Sequence, residues 1–376
     1  MTEHTHALDQ RQPSLDWLRG VAAMMVVLFH YCHAGLRDGW FKGEQHPVVY
    51  AVTAYGYVGV HLFFMISGYV IMMTAQHANT RRFMASRVSR LAPALWVCVT
   101  LTALVELAVP TAPIKPESWA QYFANLTLVP RVFDEAYMDG AYWSLAVEIN
   151  FYAMVALAIA TGQLKRIETL LLLWLALSLV NYLRPMHTVQ VFTSAQWAPL
   201  FTAGAIFYLV KQSGWTARRL LSISGSTLLA CLYLWRENGV VPDLEHLLRL
   251  DAGPNHLVIE AILLSFFGFF FCMVHGKVRV KSSRWSLLAG RLTYPLYLVH
   301  QHAGYALFSL AAASGLTAAV GLSWVTVGLL ALAVAAAWLV NVCVEEPWSA
   351  PLRRWLAGAG RTKQMQVHRK ALKASK

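Results

Sequence analysis

Apolar blocks near the length of a membrane span recur along the whole chain, and no other feature constrains its fold as much. A helix needs about 20 predominantly apolar residues to cross bilayer hydrocarbon. Ten blocks can be drawn, at 15–36, 53–75, 91–110, 141–161, 167–183, 198–211, 220–235, 256–275, 290–313 and 322–344. The fifth, sixth and seventh are short, which predicts tilted, broken or differently bounded helices there. Of 376 residues, 57% are hydrophobic and 13% charged. That balance excludes a disordered chain and argues against a soluble globular one. The expected fold is all-α, a polytopic membrane helix bundle of about ten transmembrane helices. A polar segment at 1–14 precedes the transmembrane domain at 15–348, and a basic tail fills 349–376. The first block is too long for a signal-peptide core and lacks a clear cleavage site, so it is read as an uncleaved first span.

The formal charge is +12, from 31 Lys and Arg against 19 Asp and Glu. Nucleic-acid binding would need a basic patch on a soluble surface, whereas these residues fall between apolar blocks. With the N-terminus inside, 24 Lys and Arg fall in inner segments and 7 in outer loops. That asymmetry predicts an even number of spans, both termini cytoplasmic, and a multi-pass protein of the plasma (bacterial inner) membrane. The tail is expected to rest on anionic lipid. The long acidic, aromatic segment 111–140 is expected to lie along the outer interface, and segment 236–254 is mixed in charge. The five cysteines fall in or at the ends of apolar blocks with no CxxC pair, so they read as small core residues.

Charged groups inside spans are costly, which makes each a candidate for function. Arg19 and His30 stand eleven residues apart, about three helical turns, so they share one face at ~16 Å separation. Asp16 is one turn from Arg19 and able to pair with it. Glu148 falls about 12 Å below the outer face, near the depth of His30. A carboxylate beside an imidazole orients the ring and stabilises its cation. The plainer reading is a packed histidine and a structural tie between helices. Arg87 and Arg90, one turn apart at the inner mouth, suit a phosphate group or serve as topology charges. His300 falls near mid-membrane on a helix that Pro295 is placed to kink, and His61 is a further lining candidate. Glu106 and Glu260 fall near span ends and are expected at the interface. There is no HExxH, P-loop, GxSxG elbow or carboxylate-rich metal cluster, and no metal is expected. The candidates form a vertical path, arginines at one end and a histidine deeper. An anionic carrier with a long arm, such as acyl-CoA, fits that path.

The motifs in order resemble the acyltransferase 3 family of membrane proteins over nearly the whole chain. The match comprises Leu15 to Tyr31 with the Arg19–His30 spacing, Gly56 to Ile71, Arg87-x-x-Arg90 with Pro93, Trp143 to Tyr152, Tyr294 to His300, and Glu345 to Trp348. The sequence departs from the family at His61, usually Asp, at Trp17, commonly Gly, and at Ile149, often Glu. The resemblance implies transfer of an acyl group from cytoplasmic acyl-CoA, acetyl-CoA first, to a hydroxyl of a glycan, glycolipid or other acceptor at the outer face. It carries function to Arg19, His30, Arg87 and Arg90. On that reading His30 is the general base and Glu148 orients it. Arg87 and Arg90 bind the carrier's phosphates, and Arg19 lines the thioester path. Trp143, Ser144, Tyr152 and His300 are expected at the acceptor, and an acyl-histidine intermediate is the alternative chemistry. Many members carry a further hydrolase-like domain that this length does not include, so the chain is expected to act alone. The rival readings are acylation of a small secreted metabolite such as a macrolide, and a transporter or flippase of a lipid-linked or acylated product. Absent internal repeats disfavour the latter.

Overall fold

The computed structural model describes residues 12–76, 78–237, 254–278 and 280–358, and every regular element among them is helical. The N-terminal residues 1–11, most of segment 236–254 and the tail beyond 358 lie outside the described residues. Helix α1, Pro13–Phe29, starts on a proline, whose missing N–H costs nothing in a first turn. It continues through a π turn, His30–Ala34, into Gly35–Arg37. There follow α2, Gly59–Ala75; α3, Thr80–Ala108; α4, Trp143–Ala160; and α5, Ile167–Leu183. The chain then forms α6, Ala198–Ser213; α7, Ala217–Glu237; and α8, His256–Val274. Asn79 and Asn255 cap α3 and α8, accepting backbone N–H groups that have no intrahelical partner.

Among the described residues, seven segments are long and apolar enough to cross a membrane: Pro13–Arg37, Pro47–Ala75, Thr80–Ala108, Gly140–Ala160, Gln163–Leu183, His256–Val274 and Leu322–Ala357. The remaining three expected blocks are helical in a different form. Helix α6 has only 16 residues, and all of Ala198–Val210 is buried. Helix α7 carries Arg218 and Arg219 in its first turn and Arg236 and Glu237 in its last. The continuous ninth span expected at 290–313 is instead two helices, α9 at Arg284–Val299 and α10 at His302–Ala313, divided at His300 and Gln301. The last long segment runs as α11, Leu322–Val340, through a π turn into α12, Glu346–Ala357, and so crosses the boundary expected at 348.

Helices α2 and α6 form the centre. Gly68 and Gly204 face the opposite backbone so closely that a Cβ at Gly68 would overlap the Phe201 carbonyl, and one at Gly204 the Met65 carbonyl. Small residues at a crossing let backbones meet where lipid supplies no hydrophobic drive for association. Helix α1 lies against α2 on one side and α9 on the other.

The division of the ninth segment leaves backbone groups without helical partners, and side chains supply them. Tyr142 Oη donates to the Leu298 carbonyl at 3.0 Å, and the His302 N–H donates to Asp139 Oδ2 at 2.8 Å. Asp139 is fully buried, and its Oδ1 also accepts from the Ala141 N–H at 2.9 Å, which caps the entry to α4. Asn125, on the short helix Trp119–Asn125, holds the preceding chain through Ala136 and Met138.

Overpacking a tight crossing costs about 1–3 kcal/mol or more. Gly204→Leu is therefore expected to lower Tm in detergent and the monodisperse yield. Gly268→Leu, where a Cβ meets open space, leaves both unchanged. Equal Tm values for the two variants would contradict the crossing.

Candidate active site

Two cavities sit between α1, α2, α4 and α9. The first is lined by Arg19, Arg87, Arg90, Ser67, Glu148 and Tyr152, with Ser144 and Tyr294. Three guanidinium groups thus converge from α1 and α3. Arg87 is buried, stacks 5.8 Å from the Phe83 and Tyr152 ring centres, and has no hydrogen-bond partner at Nε among the described residues. Arg19 Nη1 lies 3.6 Å from Asp16 Oδ1. Glu148 accepts a hydrogen bond from Ser67 Oγ. Buried arginine with open donors is suited to a phosphate or carboxylate, which accepts several N–H groups at once. A wider mouth, lined by Gln12, Asp16, Arg291 and Glu345, shares Arg19, Arg90 and Tyr294 with this cavity.

The second cavity holds His30, His61, Tyr57, Trp143, Trp197, Glu237 and Gln301. Val60 and Tyr297 line both cavities, so they form a shared wall. Tyr297 Oη donates to the Ala141 carbonyl at 3.1 Å and lies 2.7 Å from Ser144 Oγ.

The hydrogen bonds assign the histidine tautomers. His30 Nδ1 lies 2.9 Å from the Val26 carbonyl, and a carbonyl only accepts, so that nitrogen carries the proton. His300 Nδ1 lies 2.9 Å from the Tyr297 carbonyl and is protonated for the same reason. His300 Nε2, 3.0 Å from His30 Nδ1, is then a bare acceptor that shares the His30 proton with Val26. His300 then donates at Nδ1 and accepts at Nε2, and a neutral His30 ring with this Nδ1 proton has its lone pair on Nε2. His30 also opens the π turn of its helix, a local irregularity common at functional sites.

The structure brings Arg19, Arg87, Arg90, Glu148, Ser144 and Tyr152 together and places Trp143 with His30. It does not pair His30 with Glu148: they line different cavities, and His300 and Val26 hold the His30 ring. His300, fully buried, stands behind His30 at the division of the ninth segment. Glu106, expected at the interface, is 1% exposed and lies 3.2 Å from His302 Nδ1. His302 Nε2 accepts the Gly140 N–H at 3.0 Å, so its Nδ1–H is shared between Glu106 and the Met138 carbonyl at 3.1 Å, which holds Glu106 inside. Sequence reasoning did not single out Asp139 or Gln301. The Asp-Gly pair ahead of an apolar block is an N-cap signal that points to the first.

The apolar helix bundle thus encloses an arginine-lined cavity beside a second cavity that holds the His30 imidazole. The family model described as Acyltransferase domain, acyltransferase 3, matches residues 12–342, and the chain belongs to that family. An O-acetyl transferase of Shigella phage Sf6 is 27% identical over 291 residues, 71% of this chain and 78% of that protein. Acyltransferase MdmB of Streptomyces mycarofaciens is 24% identical over 379 residues, 90% of this chain and 91% of that protein. Peptidoglycan O-acetyltransferase OatA of Listeria monocytogenes is 26% identical over 162 residues, 37% of this chain and 23% of that protein. No solved structure matches the chain. The chain is an acyltransferase transferring groups other than aminoacyl groups, as the motif resemblance implied.

His300→Ala removes one of the two acceptors that hold the His30 ring and is expected to lower turnover about 10²-fold. His300→Gln keeps an acceptor oxygen for the His30 Nδ1–H and is expected to retain most of the rate. Equal losses in steady-state turnover would contradict the orienting contact.

Proposed function

We propose that this acyltransferase moves an acetyl group from cytoplasmic acetyl-CoA to a hydroxyl of a glycan or glycolipid at the outer face. The bundle would cross the membrane about ten times with both termini cytoplasmic, as the Lys/Arg asymmetry favours. The observation that carries the reading is the pair of cavities sharing the Val60–Tyr297 wall, arginines in one and the His30 imidazole in the other.

Arg87 and Arg90 bind the carrier's phosphates, and Arg19 positions its arm between the mouth and the wall. The pantetheine arm brings the thioester to the shared wall beside Tyr297. The acceptor hydroxyl gives its proton to His30 Nε2 as its oxygen attacks the thioester carbonyl. The C–S bond breaks, the C–O ester bond forms, and the proton passes from His30 to the departing thiolate. The resulting imidazolium is stabilised through Nδ1–H bonds to Val26 and His300, bonds that strengthen when the donor is charged. Glu148 offsets the arginine charge when the carrier is absent. Trp143 borders the acceptor side of the wall, and Ser144 and Tyr152 the donor side.

Purified protein in nanodiscs is expected to release CoA from acetyl-CoA slowly. His30→Ala lowers that release about 10²–10⁴-fold in a folded protein. Arg90→Ala, lacking a charge-assisted bond, raises the half-saturating acetyl-CoA concentration about tenfold or more. Wild-type turnover by His30→Ala would sink the mechanism. A folded wild type that binds no acetyl-CoA would rule out this donor.

A further inference from the structure

The imidazole cavity holds polar groups that the mechanism above leaves unused. His61 on α2 is 4% exposed, and its Nδ1 is buried without a hydrogen-bond partner among the described residues. Its Nε2 lies 3.8 Å from Glu237 Oε2, beyond hydrogen-bond length. Gln301, at the division of the ninth segment, lines the same cavity. Its Oε1 is also buried and unpartnered among the described residues, while its amide packs against Gly140. Buried polar atoms are ordinarily paired, and the open Gln301 Oε1 and the unbridged His61–Glu237 gap belong to one cavity with His30.

The other walls are aromatic. The Trp143 and Trp197 ring centres are 5.2 Å apart, and His61 meets Trp197 edge-on at 5.3 Å. Ring faces with a few convergent polar groups suit a ligand that is apolar on its faces and hydroxylated around its rim. A hydroxyl both donates and accepts, so a single one can bridge the gap between His61 and Glu237. A second can donate to Gln301 Oε1.

We propose that His61, Glu237 and Gln301 form an acceptor subsite for a polyhydroxylated ring. The ring rests on Trp143 and Trp197, its neighbouring hydroxyls are held by the three polar side chains, and the reacting hydroxyl meets His30 Nε2. The proposal rests on the acetyl-CoA reading and assigns the residues that hold its sugar-like acceptor. A site built to bond hydroxyls rejects analogues that lack them, because its own polar groups then stay unpaired.

The test is CoA release by the full chain in nanodiscs at saturating acetyl-CoA, with methyl hexopyranosides compared against cyclohexanol as the monohydric ring. At least one hexopyranoside is expected to raise release above the acceptor-free rate, and cyclohexanol is not. His61→Leu and Gln301→Leu each raise the half-saturating glycoside concentration about tenfold or more. Half-saturating acetyl-CoA moves by less than about twofold, since the donor binds across the wall. His61→Gln, which keeps a donor and an acceptor, retains more affinity than His61→Leu. Stimulation by cyclohexanol equal to that by the glycosides, or unchanged glycoside affinity in both Leu variants, overturns the subsite. So does the lack of any glycoside response from a wild type that still shows His30-dependent CoA release. Absence of that release altogether removes the acetyl-CoA reading and the subsite with it.

Discussion

A helix interrupted inside an apolar bundle exposes backbone groups that only other protein groups can satisfy. The site depends on how the division between α9 and α10 is closed. Asp139 takes the His302 N–H with one oxygen and caps the entry to α4 with the other. Tyr142 takes up the Leu298 carbonyl from the opposite side. One carboxylate thus fixes two chain entries against each other, and the loop that carries it is held by Asn125. The segment between them presents His300 to His30 and Gln301 to the second cavity. A continuous helix through residue 300 would have turned these side chains onto a regular face instead. The irregular backbone is therefore what places the polar chemistry.

Electrostatics explains the separation of the two cavities. Arg19 and His30 lie about 16 Å apart along one helix by its rise. At an effective dielectric of about 20, two unit charges at that distance repel by ~1 kcal/mol, against ~4 kcal/mol at 4 Å. On the proposed mechanism, an imidazolium formed at His30 is thus weakly opposed by Arg19. Placing both in one cavity would hold the histidine against accepting a proton. The proposed long carrier arm would join the two regions without bringing their charges together, its reacting end at the Val60–Tyr297 wall.

The sequence disclosed the helices because each must be apolar over a bilayer's thickness, and continuous blocks mark that directly. Helix α6 and the ninth segment were less well drawn. The first is short and surrounded by protein, and the second is broken by tertiary contacts that hydropathy does not register. Arg87 and Arg90 were rightly expected to face one way, since a single turn relates them on one helix. The pairing of His30 with Glu148 was not legible in the same way. Depth along two helices sets their height in the bundle but leaves the direction around each axis free. Glu148 turns toward Ser67 and the arginines, away from the cavity that holds His30. His300 could be noted as a candidate, yet its role as the acceptor for His30 needed the break, which rests on Asp139 from a distant loop.

The central claim is that the carrier enters from the arginine face while transfer happens beyond the wall, at His30. Sealed inside-out and right-side-out membrane vesicles carrying the protein test this directly when each receives acetyl-CoA on its outer surface. The account predicts His30-dependent CoA release from inside-out vesicles alone, with the acetylated acceptor recovered from the lumen. CoA release of equal rate from sealed right-side-out vesicles would contradict it.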